Sequence, residues 1–247
     1  MSALPDKLFA DTDLAALYDP WCGREGRDDF AFYRPMVMAA SAVLDVGCGT
    51  GLMLHQARDG GHRGRLCGLD PAPGMLAQAR KRSDIEWVQG DAVAAAFASE
   101  FDLIVMTGHA FQALLEDDQL RDTLAAVRQA LKPNGRFAFE TRNPLARAWE
   151  RWTPEHGIEI TDAAGRPVRI VTEVVETYDG RAVSFTHTFT CGDWEEVSHS
   201  TLRFLSAEAV TELFRPAGLV VEAQFGDWDR SPVSAASPEI ITIARTR

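Results

Sequence analysis

Three glycines at alternate positions, Gly47, Gly49 and Gly51, follow the apolar run Val43-Leu44-Asp45-Val46, and an acid, Asp70, ends the next apolar run 19 residues beyond Gly51. Glycine in such a turn removes the side chains that would keep a ligand off the backbone, and at least one of the three is expected to take a backbone angle other residues avoid. An acid at the end of the neighbouring strand can accept hydrogen bonds from both hydroxyls of a ribose. Either feature alone fits a plain strand-to-helix connection; together they point to a nucleoside-bearing ligand. The spacing discriminates further, because a loop that cradles a pyrophosphate at a helix N-terminus prefers G-x-G-x-x-G or A, and Leu52 holds the last position of that pattern here. Asp45, two places before the first glycine, suits an ammonium better than a pyrophosphate, which favours a cationic ligand.

Turn and acid must sit at neighbouring strand ends, and the hydropathy pattern supplies them. Apolar β-type runs at 42–46, 65–69, 85–89, 101–106 and 135–141 alternate with helical patterns, the signature of βαβ units around a parallel sheet. The clearest helix spans 118–131, where Leu120, Leu124, Val127 and Leu131 form one apolar stripe. Lys132-Pro133-Asn134-Gly135 stops it and turns the chain into the next strand. From 164 to 205 the pattern becomes that of an inserted antiparallel sheet, with Asp179-Gly180 as a hairpin turn and Cys191-Gly192-Asp193 as another. Val183, Phe185, His187 and Phe189 share one strand face, which makes His187 a hydrogen-bonded core histidine. Ser206 caps a returning helix, and strands at 219–225 and 239–245 close the chain.

Acidic residues outnumber basic ones by 36 to 25 in the 247 residues, a net charge of -11, so the mean field repels nucleic acid and anionic membranes. The basic cluster Arg80-Lys81-Arg82 ends an expected helix, where it complements the dipole. Residues 1–13 carry no secretory signal pattern and no window reaches membrane-span length, so the expectation is a cytoplasmic protein. Cys22, Cys48, Cys67 and Cys191 are irregularly spaced, which indicates free thiols and no metal site.

In this setting Asp45-Val46-Gly47-Cys48-Gly49-Thr50-Gly51 resembles the first motif of the class I S-adenosylmethionine-dependent methyltransferases. Further matches follow in family order: Gly68-Leu69-Asp70-Pro71 with Met75-Leu76, Gly90-Asp91-Ala92, Phe101-Asp102-Leu103-Ile104-Val105, and Leu131-Lys132-Pro133-Asn134-Gly135. The resemblance implies an α/β, Rossmann-like, mostly parallel seven-stranded sheet with flanking helices and a small antiparallel insertion after the fifth strand. Residues 1–150 and 204–247 would form the cofactor domain and 151–203 the insertion. Similar inserts in sugar-amine and glycine N-methyltransferases help to form the substrate pocket or a subunit contact, which makes a homodimer the candidate assembly.

The resemblance further implies that Asp45 and the turn Gly47, Cys48, Gly49 and Gly51 hold the methionine part of S-adenosylmethionine, and Asp70 its ribose. Pro71 and Met75 would flank the adenine, and Asp91 and Ala92 would meet its amine and ring edge. Thr107 to His109 would line the cleft toward the substrate, and Tyr18 and Tyr33 resemble tyrosines that cover the methionine end. The product would be S-adenosylhomocysteine, and the methyl would go to an N or O atom of a small molecule.

Methyl transfer from a sulfonium is an in-line displacement in which the enzyme aligns the acceptor and excludes water, with a base needed only for a protonated acceptor. His109, just beyond the fourth strand, is the candidate base; Ala113 stands where similar enzymes carry a histidine, and His109 lies one helical turn before it. The competing role for His109 is shaping the pocket. Glu140 and Arg142 would bind a polar substrate or form a surface ion pair, and for His199 the roles of catalyst and of hydrogen-bonded core histidine are both open. Two alternatives stand beside a methyltransferase: a noncatalytic S-adenosylmethionine-binding protein and a nicotinamide-dependent oxidoreductase.

Overall fold

Strand and helix patterns alternate because each apolar run must bury both faces between helices, and the computed structural model shows that arrangement over the residues it describes, 4–23 and 28–246. Residues 1–3, 24–27 and 247, and with them the outer ends of the expected cofactor domain and the start of the N-terminal segment, lie outside the described residues. Short helices α1 (Lys7–Ala10), α2 (Thr12–Ala15) and α3 (Tyr18–Cys22) lead to α4 (Asp28–Ala39). Then follow β1 (Ala42–Val46), α5 (Leu52–Asp59), β2 (Arg65–Asp70), α6 (Pro73–Ala79), β3 (Glu86–Gln89), α7 (Ala92–Ala95), β4 (Phe101–Met106), α8 (Asp117–Ala130) and β5 (Leu131–Arg142). Strands β6 (Ile158–Thr161), β7 (Pro167–Glu176), β8 (Ala182–Cys191) and β9 (Trp194–Arg203) precede α9 (Ala207–Phe214), β10 (Leu219–Phe225) and β11 (Glu239–Thr246).

The first sheet has seven strands in the order β10-β11-β5-β4-β1-β2-β3, and the second has four in the order β6-β7-β8-β9. Strands β1 to β5 pair in parallel, while β11 runs antiparallel to β5 and β10 antiparallel to β11. This is the expected architecture, with the second sheet inserted after β5. Two apolar layers flank the first sheet. Leu120, Leu124 and Val127 of α8 pack with Phe137, Phe139 and Phe214 on one face, and Phe32 and Val37 of α4 pack with Met53, Leu54 and Val43 on the other. Ser206 caps α9 as expected, its hydroxyl accepting from the Ala209 N–H at 3.2 Å.

Two boundaries differ from expectation. Helix α8 starts at Asp117, capped by reciprocal Glu116 and Gln119 bonds, and Leu131 already belongs to β5 because it pairs with Phe101 across a register shift. The expected stop signal at 132–135 is therefore an irregular opening to the strand, with Asn134 at φ 63°. The second sheet also begins earlier than residue 164, at β6, whose Ile160 is buried among Leu8, Leu14, Leu17 and Phe189. Among the described residues no helix is long and apolar enough to cross a membrane.

Phe189, fully buried in that cluster, ties the second sheet to α1, α2 and the start of α3. Phe189→Ala should cost about 3–5 kcal/mol and loosen those helices; urea unfolding measures the loss, and limited proteolysis should cut first in the N-terminal helices.

Candidate functional site

Asp70 sits at the end of β2 with 7% exposure, and its carboxylate accepts two backbone N–H bonds. Gly49 donates to Oδ2 at 2.8 Å and Ala72 to Oδ1 at 2.8 Å. Desolvation raises the pKa of this acid, and the two N–H donors oppose the rise. One side chain thus fixes the glycine turn to the turn that starts α6. Each carboxylate oxygen keeps a second lone pair, so the same group retains acceptor capacity toward a diol.

All three glycines take positive φ, 73°, 55° and 76° in order, but for different reasons. A Cβ at Gly47 would lie 2.7 Å from Ala110 Cβ, and one at Gly51 would lie 2.3 Å from the Trp87 ring. At Gly49 the nearest atom would be Met75 Sδ at 4.0 Å. Protein packing therefore excludes side chains at Gly47 and Gly51, whereas Gly49 borders open space that a ligand can enter. Trp87 on β3 also occupies the space in front of Gly68, 2.4 Å from a Cβ there. Asp45 is 1% exposed at the end of β1.

The other expected residues gather around this turn to differing degrees. Met75 is buried with Ala15 and Ala72, and Tyr18 packs against that cluster. Pro71 is exposed and Ala92 buried. Asp91 caps α7 by accepting the Ala94 N–H at 2.8 Å. Cys48 is buried, which pushes its thiol well above the usual range. Helix α3 lies across the turn, with the Thr50 hydroxyl donating to Asp19 Oδ1 at 2.6 Å. Its Trp21 meets His187 of β8 edge-on at 4.7 Å. His187 is hydrogen-bonded as expected, 2.9 Å from the Thr172 hydroxyl, but half-buried, and desolvation lowers its pKa to about 4. His199 is exposed.

Beyond β4 the chain runs through Thr107 and Gly108 into His109, which holds φ 63°, a left-handed conformation costing a residue with a side chain about 1–2 kcal/mol. Residues 110–113 form a short 3₁₀ turn that starts after His109, so His109 precedes the turn and does not share a helical face with Ala113. Two carboxylates hold it. The His109 N–H donates to Glu140 Oε1 at 2.9 Å, and its Nε2 lies 3.0 and 3.1 Å from the Glu239 oxygens. Glu140 is fully buried and also accepts the Tyr33 hydroxyl at 2.6 Å, so the surface ion pair considered for Glu140 is replaced by an internal network. Tyr33, itself fully buried, supports the His109 segment through Glu140.

Glu239 and Gln112 escaped the sequence reading. Burial pushes Glu239 up to about 8, opposed by Arg142 and reinforced by Asp227 and Asp29. Gln112, 1% exposed, accepts from the Arg142 N–H at 3.1 Å and donates to the Arg203 carbonyl at 2.8 Å, which ties β5 to β9. The Arg142 guanidinium lies 5.5 Å from the Trp152 ring centroid. A surface groove of about 540 Å³ lies elsewhere, lined by Asp28, Phe32, Asp227, Trp228 and Arg230 among others. It includes no residue of the glycine turn.

The chain is similar to known methyltransferases in sequence and in fold. Residues 43–135 match a family model described as a methyltransferase domain. A 2-phytyl-1,4-naphtoquinone methyltransferase from Thermosynechococcus vestitus is 37% identical over 118 residues, covering 45% of this chain and 51% of that protein. The chain thus spans about half the length of that relative. A cypemycin N-terminal methyltransferase from a Streptomyces species is 27% identical over 206 residues, 81% of each chain. In three dimensions the chain is similar to CalS10, an amino pentose methyltransferase from Micromonospora echinaspora solved with S-adenosylmethionine, at TM-score 0.70 and 24% identity over 94% of this chain and 95% of that one.

The two reasons for glycine can be separated experimentally. Gly49→Ala and Gly51→Ala should share a left-handed backbone cost of about 1–2 kcal/mol, but only Gly51→Ala also displaces Trp87. Urea midpoints should show Gly51→Ala clearly the less stable; equal losses would remove the packing explanation. The raised Glu239 gives a second test. Folded protein holds a proton there that the unfolded chain releases above its usual value of 4.5, so this contribution to stability is present below 4.5 and disappears as pH rises through about 8. Glu239→Gln should flatten the decline of stability between pH 5 and 8, read from urea midpoints across that range.

Proposed function

We propose that this chain, built around a class I methyltransferase domain, transfers a methyl group from S-adenosylmethionine to an N or O atom of a small molecule. The observation that carries the reading is the open space at Gly49, bordered by Met75 and fixed by Asp70. A ligand with an adenosine and a methionine arm suits that cradle. The turn Gly47, Cys48, Gly49 and Gly51 with Asp45 would hold the methionine arm, Asp70 the ribose, and Met75, Pro71, Asp91 and Ala92 the adenine end. Tyr18 would cover the ligand from α3. Bound there, the sulfonium supplies a methyl group whose leaving group is already activated by positive charge.

The chain's own contribution is alignment and proton handling. His109 and Thr107 would face the acceptor at the carboxyl end of β4, with His109 taking the acceptor's proton. The Glu239 carboxylate, 3.0 Å from His109 Nε2 and raised by burial and by Asp227 and Asp29, favours a basic acceptor such as an amine. The names of two similar proteins, a cypemycin N-terminal methyltransferase and an amino pentose methyltransferase, point to substrates that carry an amine, which supports the same class. A small-molecule partner accords with the net charge of -11 and with those relatives; a homodimer through the second sheet is the assembly we propose.

Calorimetric titration with S-adenosylmethionine, S-adenosylhomocysteine and NADH should give heat for the first two alone, and heat for NADH alone would overturn the reading. Gly49→Val should abolish that heat while keeping a cooperative unfolding transition. With an amine acceptor in hand, His109→Ala should lower kcat by about a hundredfold to ten-thousandfold with S-adenosylmethionine affinity little changed. A rate equal to wild type would remove His109 from the proton path.

A further inference from the structure

Strand β5 ends on Arg142, and several separate parts of the chain come up to its guanidinium. Gln112, on the 3₁₀ turn after β4, accepts one Nη1 bond at 3.3 Å, and the ring of Trp152, from the chain after β5, has its centroid 5.5 Å away. The Arg142 charge acts on His187 of β8, and Tyr18 and Cys22 of α3 act on Arg142 in turn. Helix α3 is the element that Asp19 and Thr50 tie over the glycine turn. The guanidinium therefore stands where α3, the end of the first sheet and the second sheet converge, at the carboxyl end of the parallel strands, where open sheets of this kind bind their ligands.

A guanidinium carries five N–H donors, and among the described residues the Gln112 bond is the one that engages them. Glu140 and Glu239 act on Arg142 through space without forming an ion pair with it: the Glu140 oxygens are met by the Tyr33 hydroxyl and the His109 N–H, and those of Glu239 by His109 Nε2. Burial pushes Glu239 up to about 8, so near neutrality it compensates little of the arginine's charge. His187, with a pKa of about 4, adds no second cation there. Desolvation lowers the Arg142 pKa, yet a guanidinium stays charged across the physiological range. A cation withdrawn from water costs free energy until an anion meets it, and the planar fork of donors fits a carboxylate through two parallel bonds.

We propose that Arg142 is the anion-binding residue of the acceptor pocket, and that the methyl acceptor is a small molecule carrying a carboxylate besides the atom that receives the methyl group. This inference rests on the reading of the chain as a methyltransferase. A single guanidinium balances a monoanion, and the neighbouring acids Glu140 and Glu239 disfavour the second charge of a phosphate. Gln112 Oε1 accepts from both the Arg142 backbone N–H at 3.1 Å and Nη1, which orients the fork, and Trp152 gives it a flat apolar wall. Combined with the preference for an amine, the acceptor class is a small amino acid or another amine-bearing acid.

Acetate and acetamide share size and shape, so together they separate charge from packing. Protein labelled with ¹⁵N-arginine and saturated with S-adenosylhomocysteine is titrated with each by NMR at constant ionic strength, the Arg142 Nε–H signal being assigned through its own backbone. Acetate should shift that signal and saturate it at about a tenfold lower concentration than at the exposed Arg63 and Arg80, while acetamide leaves it in place. Arg142→Lys, which loses the fork, should abolish the acetate response at the Trp152 indole N–H; the wild-type titration decides even if that variant does not fold. An equal response to acetate and acetamide, or acetate binding no tighter than at Arg63, overturns the proposal, and inorganic phosphate saturating Arg142 below acetate overturns the carboxylate assignment. These failures leave S-adenosylmethionine binding untouched, whereas absence of that binding by calorimetry rejects the functional reading whatever Arg142 does.

Discussion

The buried Asp70 carboxylate, accepting one N–H from each of two turns, is the constraint on which the site depends. A carboxylate taken out of water is costly unless its lone pairs are met, and here the donors are backbone groups whose positions the carboxylate then dictates. Gly49 must approach β2 from one side and Ala72 from the other. That requirement places Gly49 opposite Met75, at the start of α6, and leaves space between them. Trp87 completes the arrangement from β3 by filling the volume in front of Gly51 and Gly68, which leaves Gly49 as the place where the turn faces outward.

The remaining walls are tied to this turn by specific bonds. Asp19 meets Thr50 and anchors α3 over the turn, and Trp21 on the same helix carries the contact on to His187 and Phe189 of the second sheet. Gln112 makes the corresponding link on the opposite side, joining Arg142 of β5 to the end of β9. Each link crosses between elements distant in sequence, so the inserted sheet is held at both sides of the cleft.

The local rules that made the first sheet legible are the ones that work over short spans. Alternating strands and helices, the glycine turn, Asp70 and the Ser206 cap all announce themselves within a few residues, and the second sheet was visible from the alternation of Val183, Phe185, His187 and Phe189. Strand β6 was missed because four residues carry too little periodicity to stand out. The motif could not reveal that Gly51 is glycine because of Trp87, since that contact joins the turn to β3, 36 residues on. Glu239 was invisible for a related reason: its place at the sheet edge near His109 follows from the reversed direction of β11, a topological fact with no local signature. Glu140 read as a substrate-binding acid or half of a surface ion pair because a strand-end carboxylate usually meets solvent, and it is Tyr33 and His109, far away in sequence, that meet it in its burial.

The distribution of these acids also has a consequence for the proposed chemistry. During methyl transfer to an amine, positive charge leaves the sulfur and grows on the acceptor nitrogen. Carboxylates near the sulfur would stabilise the starting cation more than the transition state, while those near the acceptor stabilise the charge as it forms. On the proposed reading Asp45 and Asp70 act at the methionine and ribose ends of the ligand, so their attraction is spent largely on binding. Asp227 and Asp29 raise the proton affinity of Glu239, whose carboxylate reaches His109, and on the same reading Glu239 acts on the acceptor side. Burial makes Glu239 expensive to ionise, and a cationic acceptor entering beside it would lower the cost. The same desolvation that raises Glu239 therefore strengthens, on this reading, the preference for an acceptor that becomes positive.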